Sequence, residues 1–500
     1  MMEIGVIGAG AMGRGIAQVC AAAGCKVRLF DSKPSAVEAA CAAIHKDLTQ
    51  TVARGKLDPT HLEAAMARIH PADTLEAFAN CDLVVEAIVE QLEAKRALMQ
   101  ALEAVVRPTC ILASNTSSLS VTAIAAVCRQ PDRVAGWHFF NPVPRMKLVE
   151  VVQAPRTDAS VVQALVELSR RVGHRAIVTA DSPGFVVNHG GRAFVTEGLK
   201  LLAERAAEHP VLDAILRNAG FRMGPFELLD LTALDVSVPV MESIHAQYYG
   251  DDRYRPVALA NTRLRAGLLG RKSGQGFYDY RSDMVTPVLP PQPATPDRLP
   301  MVWWPLDGPA GLPAAVADLL PAGTVRSEQT EADVTLIAPL RSDLSTTVTD
   351  GCFDPVRTVA VDPMFAAATG VTLMISPATC PEALVAARGL FAAAGVPTHV
   401  IADSPGYVAP RVVACIVNLA CEMAQQGVAS PEDIDIALKL GLGYPAGPFE
   451  WGDRLGAGRM LAVLEGLYAT FGDPRYRPAP WLVRRARLGL PLSSPDRRPQ

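Results

Sequence analysis

The amino-acid sequence predicts a doubly wound α/β domain over residues 1–182, an all-α domain over 183–283, a reduced α/β segment over 314–402 and a second copy of the all-α domain over 403–492. Three observations carry this reading. Short apolar runs alternate with helical patterns in the first 182 residues, long helices take over after Asp181, and signature peptides of the helical region recur in the second half of the chain. Strands alternating with helices imply a parallel sheet covered on both faces.

The first element is the strand Ile4-Gly5-Val6-Ile7. A glycine-rich turn from Gly8 to Gly15 follows, then a helix over 16–23 stopped by Gly24, and a second strand over 26–30 that ends at Asp31. Apolar runs at 83–89, 111–114 and 134–140 suit buried parallel strands, with helical patterns at 91–105 and 120–127 between them. Nine prolines between Pro287 and Pro313 predict an extended linker over 284–313, since proline fixes φ and removes a backbone donor. The repeat orders the remainder. Asp181-Ser-Pro-Gly-Phe-Val returns as Asp403-Ser-Pro-Gly-Tyr-Val, Gly224-Pro-Phe-Glu227 as Gly447-Pro-Phe-Glu450, and Gly250-Asp-Asp-Arg-Tyr-Arg-Pro256 as Gly472-Asp-Pro-Arg-Tyr-Arg-Pro478. The offsets of 222, 223 and 222 residues identify a duplication. Between linker and second copy, apolar runs at 334–338, 359–361 and 372–375 read as strands, and residues 493–500 as a disordered tail.

A formal net charge of −4 gives no reason to expect nucleic acid or a membrane surface as partner, and no run of about twenty apolar residues spans a bilayer. The N-terminus lacks the basic region of a signal peptide, and its apolar stretch is broken by Gly8, Gly10 and Gly13. Ten cysteines with no C-x-x-C pair read as reduced and buried, with neither a metal site nor a disulfide framework, in a cytoplasmic protein.

Gly8-x-Gly10-x-x-Gly13 lies between a strand and a helix, the context a Rossmann dinucleotide site needs. Gly8 permits the tight turn, Gly10 lets backbone approach a pyrophosphate, and Gly13 allows close helix–strand packing. Asp31, at the end of the second strand, suits a ribose 2′-hydroxyl and repels a 2′-phosphate, so the expected cofactor is NAD rather than NADP; Lys33 nearby weighs the other way.

Hydride transfer from an alcohol needs a base with a pKa near the working pH. His138 ends an apolar strand in Trp137-His-Phe-Phe-Asn-Pro-Val-Pro144, and Glu150 sits in the apolar strand Leu148-Val-Glu-Val-Val152. A carboxylate in such a run needs a partner, and an imidazole it can orient is a natural one. Spacing alone leaves open whether the two meet.

Ser114-Asn-Thr-Ser-Ser118, His138-Phe-Phe-Asn-Pro-Val-Pro144, Met146-Lys-Leu-Val-Glu150, Asp181-Ser-Pro-Gly-Phe-Val-Val-Asn188, Gly224-Pro-Phe-Glu227 and Gly270-Arg-Lys-Ser-Gly-Gln-Gly-Phe-Tyr278 together resemble the 3-hydroxyacyl-CoA dehydrogenase family over residues 1–280. The duplicated C-terminal region is similar to longer bacterial members acting on 3-hydroxybutanoyl-CoA or, in phenylacetate breakdown, 3-hydroxyadipyl-CoA. The resemblance implies NAD-dependent oxidation of an (S)-3-hydroxyacyl-CoA, with His138 as base and Glu150 as its orienting partner. It also implies that Ser117 and Asn188 hydrogen-bond the substrate oxygens, Asn188 arriving from the helical domain, and that Glu90, Lys95, Asn141 and Lys272 contact NAD. Lys46 and Lys56 are candidates for CoA phosphates. Each has a plainer role open to it: Ser117 and Asn188 as helix-start residues, the charged positions as solvated surface.

The sequence departs from the family pattern at His189-Gly-Gly191, where many relatives carry Asn-Arg and a bulkier run, which bears on acyl-chain preference. In the second half Pro410 stands where Asn188 does, Val359 where His138 does, and no G-x-G-x-x-G occurs, so that half is expected to be catalytically dead. Its use would be to cover an apolar face, making a monomeric internal pseudo-dimer; a homodimer is the other state open. Alternative readings are a catalytically silent NAD-binding protein and a free β-hydroxyacid dehydrogenase, which would use a helical-domain lysine. A dinucleotide fold beginning at residue 3 leaves no room for an upstream hydratase, so a multifunctional protein is not expected.

Overall fold

A computed structural model describes residues 2–282 and 288–496. They fall into two compact units: Met1–His189 with Gln426–Leu442, and Gly190–Gln425 with Gly443–Gln500.

The first unit is built on an eight-stranded sheet of β1 (Glu3–Ile7), β2 (Lys26–Phe30), β3 (Ile69–Pro71), β4 (Leu83–Glu86), β5 (Ile111–Ser114), β6 (Val134–Phe139), β7 (Leu148–Gln153) and β8 (Arg175–Ala180). The order is β3-β2-β1-β4-β5-β6-β7-β8, parallel throughout except for the β6–β7 pair. Strand order reverses between β1 and β4, which places a crevice beyond their C-terminal ends, where open α/β sheets bind ligands. β4 and β6 are buried along their whole length, as strands covered on both faces must be. The helix opened by the glycine turn spans Ala11–Ala22, five residues earlier than its apolar pattern indicates, because the turn's own residues already adopt helical geometry. β3 and β8 have no distinct apolar signature and are not legible in the sequence.

Residues Gln426–Leu442 come from the second helical copy yet belong to this unit. β8 is an edge strand, and its outward N–H groups find acceptors there: Ala180 N–H donates to the Val428 carbonyl at 2.8 Å, and Val178 N–H to the Asp433 carboxylate. A cα-hydrogen-only residue is required at Gly441, where a Cβ would lie 2.9 Å from Val187 and 3.1 Å from Leu148.

The second unit holds a five-stranded sheet of β9 (Val302–Trp303), β10 (Val334–Ile337), β11 (Thr358–Val361), β12 (Val371–Ile375) and β13 (Thr398–Ala402), in the order β13-β12-β11-β10-β9. Its pairings repeat those of β4 to β8, with the antiparallel step at β11–β12. Nothing in this sheet corresponds to β1–β3, so the glycine turn has no strand to follow. The repeated Asp-Ser-Pro-Gly peptide does the same work in each copy. Asp181 accepts from the backbone N–H of Val121 and Thr122 at the start of a helix beside the first sheet, and Asp403 accepts from Leu344 and Ser345 beside the second. The edge contact recurs too: Ala402 N–H donates to the Ala206 carbonyl at 2.8 Å, 222 residues before and after its counterparts Ala180 and Val428. Between helices Arg192–Ala203 and Ala409–Gln425, the fully buried Arg411 pairs with Glu197 at 3.0 Å and Glu204 at 2.7 Å and donates to the Tyr476 hydroxyl.

Three expectations need correction. The 284–313 segment is not a free linker: Gln292 pairs with the backbone N–H and carbonyl of Thr398 at the edge of β13, Val302–Trp303 is a strand, and Leu312 is buried. A proline-rich strip lacks backbone donors, so a glutamine side chain makes the edge pairing instead. Residues 283–287 lie outside the described residues. The tail is held as far as residue 496, with Leu492 buried, Ser493 on Asp453 and the Ser494 carbonyl on Arg485; residues 497–500 lie outside the described residues. The division between units falls after His189, not after residue 182, so Asn188 packs with the dinucleotide-type sheet rather than arriving from a separate helical body. Among the described residues no helix is long and apolar enough to cross a membrane.

Candidate active site

The glycine turn follows β1 at the reversal of strand order. Gly8 has φ +101°, and a Cβ there would lie 2.5 Å from the Ala87 carbonyl oxygen. A Cβ on Gly13 would lie 1.7 Å from the Gly8 carbonyl, so only glycine lets the helix start against the turn. Around Gly10, by contrast, a Cβ meets nothing within 4 Å; the residue is exposed and opens the helix N-terminus to a ligand. Asp31 is fixed at the rim, accepting from Ala9 N–H at 2.8 Å and Lys33 N–H at 3.0 Å. Open space at Gly10, unpaired first-turn N–H groups and a half-exposed carboxylate at the end of β2 form a set that fits a dinucleotide.

β6 and β7 are antiparallel, and their register places His138 directly opposite Glu150. Nδ1 of His138 donates to Glu150 Oε2 at 2.7 Å, both side chains being buried. That bond commits Nδ1 and leaves Nε2 as the nitrogen for chemistry. The other oxygen, Oε1, accepts from Val186 N–H at 3.0 Å and Val187 N–H at 2.9 Å. These two amides are aimed by Gly184 and Phe185, both with positive φ (+79° and +48°), in the turn that leads to Asn188. Glu150 therefore holds the imidazole and the Asn188 turn together. Phe140 and Phe185 flank the ring, with centroids 4.5 and 5.8 Å away.

Asn188 donates through Nδ2 to the Ser117 carbonyl at 3.2 Å. Ser117 lies in the loop after β5, which is tied to β6 by Phe139 N–H donating to Asn115 Oδ1 at 2.8 Å. Sequence reasoning quoted Asn115 without giving it this role; an amide between a strand end and a Thr-Ser-Ser run was the available signal. Glu90 Oε1 organises the same loop, accepting from Thr116 Oγ1 at 2.7 Å, Ser117 N–H at 2.9 Å and Ser118 N–H at 3.1 Å. Burial pushes this carboxyl up, but the Thr116 hydroxyl, the Lys95 ammonium and the loop amides outweigh it and hold it at about 2.

Lys95 is not a solvated surface charge. It is buried, donates to both oxygens of Glu86 at 3.0 and 2.9 Å, and lies 3.2 Å from Glu90 Oε2. Asn141 is exposed just beyond β6. Lys46 and Lys56 are exposed, on and just after the helix Pro34–Ala53, with no side-chain partner. Lys272 belongs to the second unit and is ion-paired with Asp235.

The second sheet has the same framework without the chemistry. Ala360 pairs with Met374, so Val359 falls opposite Ile375 where the first sheet has His138 and Glu150. The left-handed Gly406-Tyr407 turn persists, at φ +73° and +53°, without a carboxylate to receive its amides.

Comparison with known proteins agrees with this chemistry. The NAD-binding domain of 3-hydroxyacyl-CoA dehydrogenase matches residues 3–182, and the C-terminal domain of the same family matches twice, at 184–280 and 406–493. A 3-hydroxyadipyl-CoA dehydrogenase of Escherichia coli (strain K12) is 38% identical over 491 residues, 98% of each chain. A probable 3-hydroxybutyryl-CoA dehydrogenase of Deinococcus radiodurans is 42% identical over 280 residues, 56% of this chain and 100% of that protein. The crystal structure of a 3-hydroxybutyryl-CoA dehydrogenase from Escherichia coli K12 superposes with a TM-score of 0.85 at 37% identity, covering 97% of this chain and 98% of that one. The chain thus belongs to the 3-hydroxyacyl-CoA dehydrogenase family, NAD-dependent oxidoreductases acting on the hydroxyl of a hydroxyacyl-CoA.

Proposed function

We propose that this chain oxidises short or dicarboxylic (S)-3-hydroxyacyl-CoA thioesters, 3-hydroxybutyryl-CoA or 3-hydroxyadipyl-CoA, in the cytoplasmic breakdown of fatty or aromatic acids. The observation that carries the mechanism is the register that sets His138 against Glu150. With Nδ1 donating to the carboxylate, Nε2 takes the proton of the 3-hydroxyl, and the adjacent negative charge stabilises the imidazolium that forms. NAD, when bound, accepts the hydride leaving C3. Glycines 8, 10 and 13 and Asp31 bind the dinucleotide, with Glu90, Lys95, Asn141 and Lys272 as further contacts. Ser117 and Asn188 donate hydrogen bonds to the substrate oxygens, and Lys46 and Lys56 meet the CoA phosphates. The acyl range rests on the E. coli relative named for 3-hydroxyadipyl-CoA, which matches over 98% of both chains.

The second half serves as an internal partner. Its support is the reciprocal edge pairing, Ala180 with Val428 and Ala402 with Ala206. Removing residues 283–500 strips the cover from β8, and the remaining half is expected to aggregate or dimerise; a soluble, active monomer would contradict the pseudo-dimer.

The test of function is NADH oxidation followed at 340 nm with acetoacetyl-CoA and with 3-oxoadipyl-CoA, comparing wild type with His138→Ala. Turnover that falls by about a hundredfold or more supports the assignment. NADH binding without turnover of either thioester rejects it.

A further inference from the structure

The buried network behind Ser117 contains a carboxylate that the mechanism does not use. Glu86 ends β4 and has no exposed surface. Its two oxygens accept from Lys95 Nζ at 3.0 and 2.9 Å, and Oε2 also accepts Ile88 N–H at 3.1 Å. Ser114 Oγ donates to Glu86 and itself accepts from Thr116 N–H at 3.2 Å. Lys95 in turn reaches Glu90, whose other oxygen gathers the amides of Ser117 and Ser118. The loop is therefore gripped twice by one buried group: from below through Ser114, and from the cofactor side through Lys95 and Glu90.

Buried ion pairs add little stability over apolar side chains of the same volume, so a Glu–Lys–Glu triad beside the crevice is better explained by geometry than by stability. One ammonium lies between two carboxylates, and its position is the balance of their pulls. Without the charge of Glu86, Lys95 moves fully onto Glu90 and draws that carboxylate away from residues 116–118.

We propose that Glu86 is a positioning residue: through Lys95–Glu90 and through Ser114 it fixes the loop that presents Ser117 to the substrate. The kinetic part of this rests on the function proposed above; the structural part does not. Hydrogen exchange of the full-length, cofactor-free protein is therefore the first measurement. In Glu86→Gln the amides of Thr116, Ser117 and Ser118 should exchange at least about tenfold faster, with the rest of the sheet unchanged. Should that variant fail to fold, Ser114→Ala removes only the lower grip and should accelerate the same amides to a smaller extent. Unchanged exchange in the loop, or acceleration spread evenly across the first unit, overturns the proposal. In the acetoacetyl-CoA assay Glu86→Gln should lose about a hundredfold in kcat/KM, the scale of a 1 Å misplacement. The double variant Glu86→Gln/Ser117→Ala should be no worse than Ser117→Ala alone, because Glu86 acts through Ser117. Losses that multiply contradict that route. A wild type inactive on every thioester rejects the proposed function and leaves the exchange result to decide on Glu86.

Discussion

Replacing Glu150 by glutamine tests the acid/base assignment through a single proton. The carboxylate accepts three hydrogen bonds: His138 Nδ1–H on one oxygen, and the amides of Val186 and Val187 on the other. Glutamine has one acceptor oxygen. Leaving a buried N–H unsatisfied costs about 1–3 kcal/mol, and two such groups face Oε1, so the amide oxygen stays with Val186 and Val187. The new NH2 then faces His138 Nδ1, and two donors oppose each other. The imidazole resolves this by carrying its proton on Nε2, which removes the lone pair that receives the substrate proton. A wrong tautomer in an oriented imidazole lowers kcat by about 10⁴-fold, equivalent to roughly 5 kcal/mol of barrier. Steady-state NADH oxidation with acetoacetyl-CoA should show that loss in kcat, while NADH affinity by fluorescence titration changes less than about threefold, the backbone amides having kept their acceptor. A loss below tenfold would refute the reasoning, because it would mean that Glu150 does not set the tautomer.

The glycine turn allows a contrast within one motif. Gly13→Ala forces a Cβ against the Gly8 carbonyl and should disrupt folding or abolish NADH binding, whereas Gly10→Ala meets no protein atom within 4 Å. Gly10→Ala should melt like wild type yet bind NADH at least about tenfold more weakly, since its methyl occupies space a pyrophosphate needs. Arg411→Met leaves Glu197 buried without its guanidinium and should destabilise the second unit by about 3–5 kcal/mol in urea unfolding. An Arg411→Met midpoint equal to wild type would show that the network is not coupled to folding. Glu90 is depressed in the folded state, so its contribution to stability is present above the unfolded carboxylate pKa and is lost as pH falls from about 4.5 toward 2. The stability gap between wild type and Glu90→Gln should accordingly narrow over that window, and a gap that is constant from pH 7 to 2.5 would contradict the depressed pKa.

What the sequence reveals here is what depends on neighbours along the chain. Gly8, Gly10 and Gly13 announce a turn because φ and close approach are local properties, and Asp31 is identified by its place at a strand end. The duplication is legible because the Asp-Ser-Pro-Gly and Gly-Pro-Phe-Glu peptides are local caps and turns, retained in both copies even where Val359 and Ile375 have replaced the reacting pair. The crossing between His138 and Glu150 is different in kind. Both residues stand out as polar groups in apolar strands, but a one-residue slip in register would turn them to opposite faces, and only the paired sheet decides that they meet.

Burial and long-range pairing were decided by tertiary structure alone. Lys95 has the sequence context of a surface lysine on an amphipathic helix; it is buried because Glu86 and Glu90, from the strand end and loop before that helix, converge on its ammonium. Proline-rich residues near Gln292 read as linker because their own donors are missing, yet β13 offers an edge that a glutamine side chain can pair. Residues 426–442 sit with the first sheet since β8 exposes unpaired N–H groups that only a segment some 250 residues away along the chain can satisfy. Composition and periodicity report the chemistry each segment carries, whereas the partner of a buried charge or an edge strand is set by which distant segments the folded chain brings within hydrogen-bonding distance.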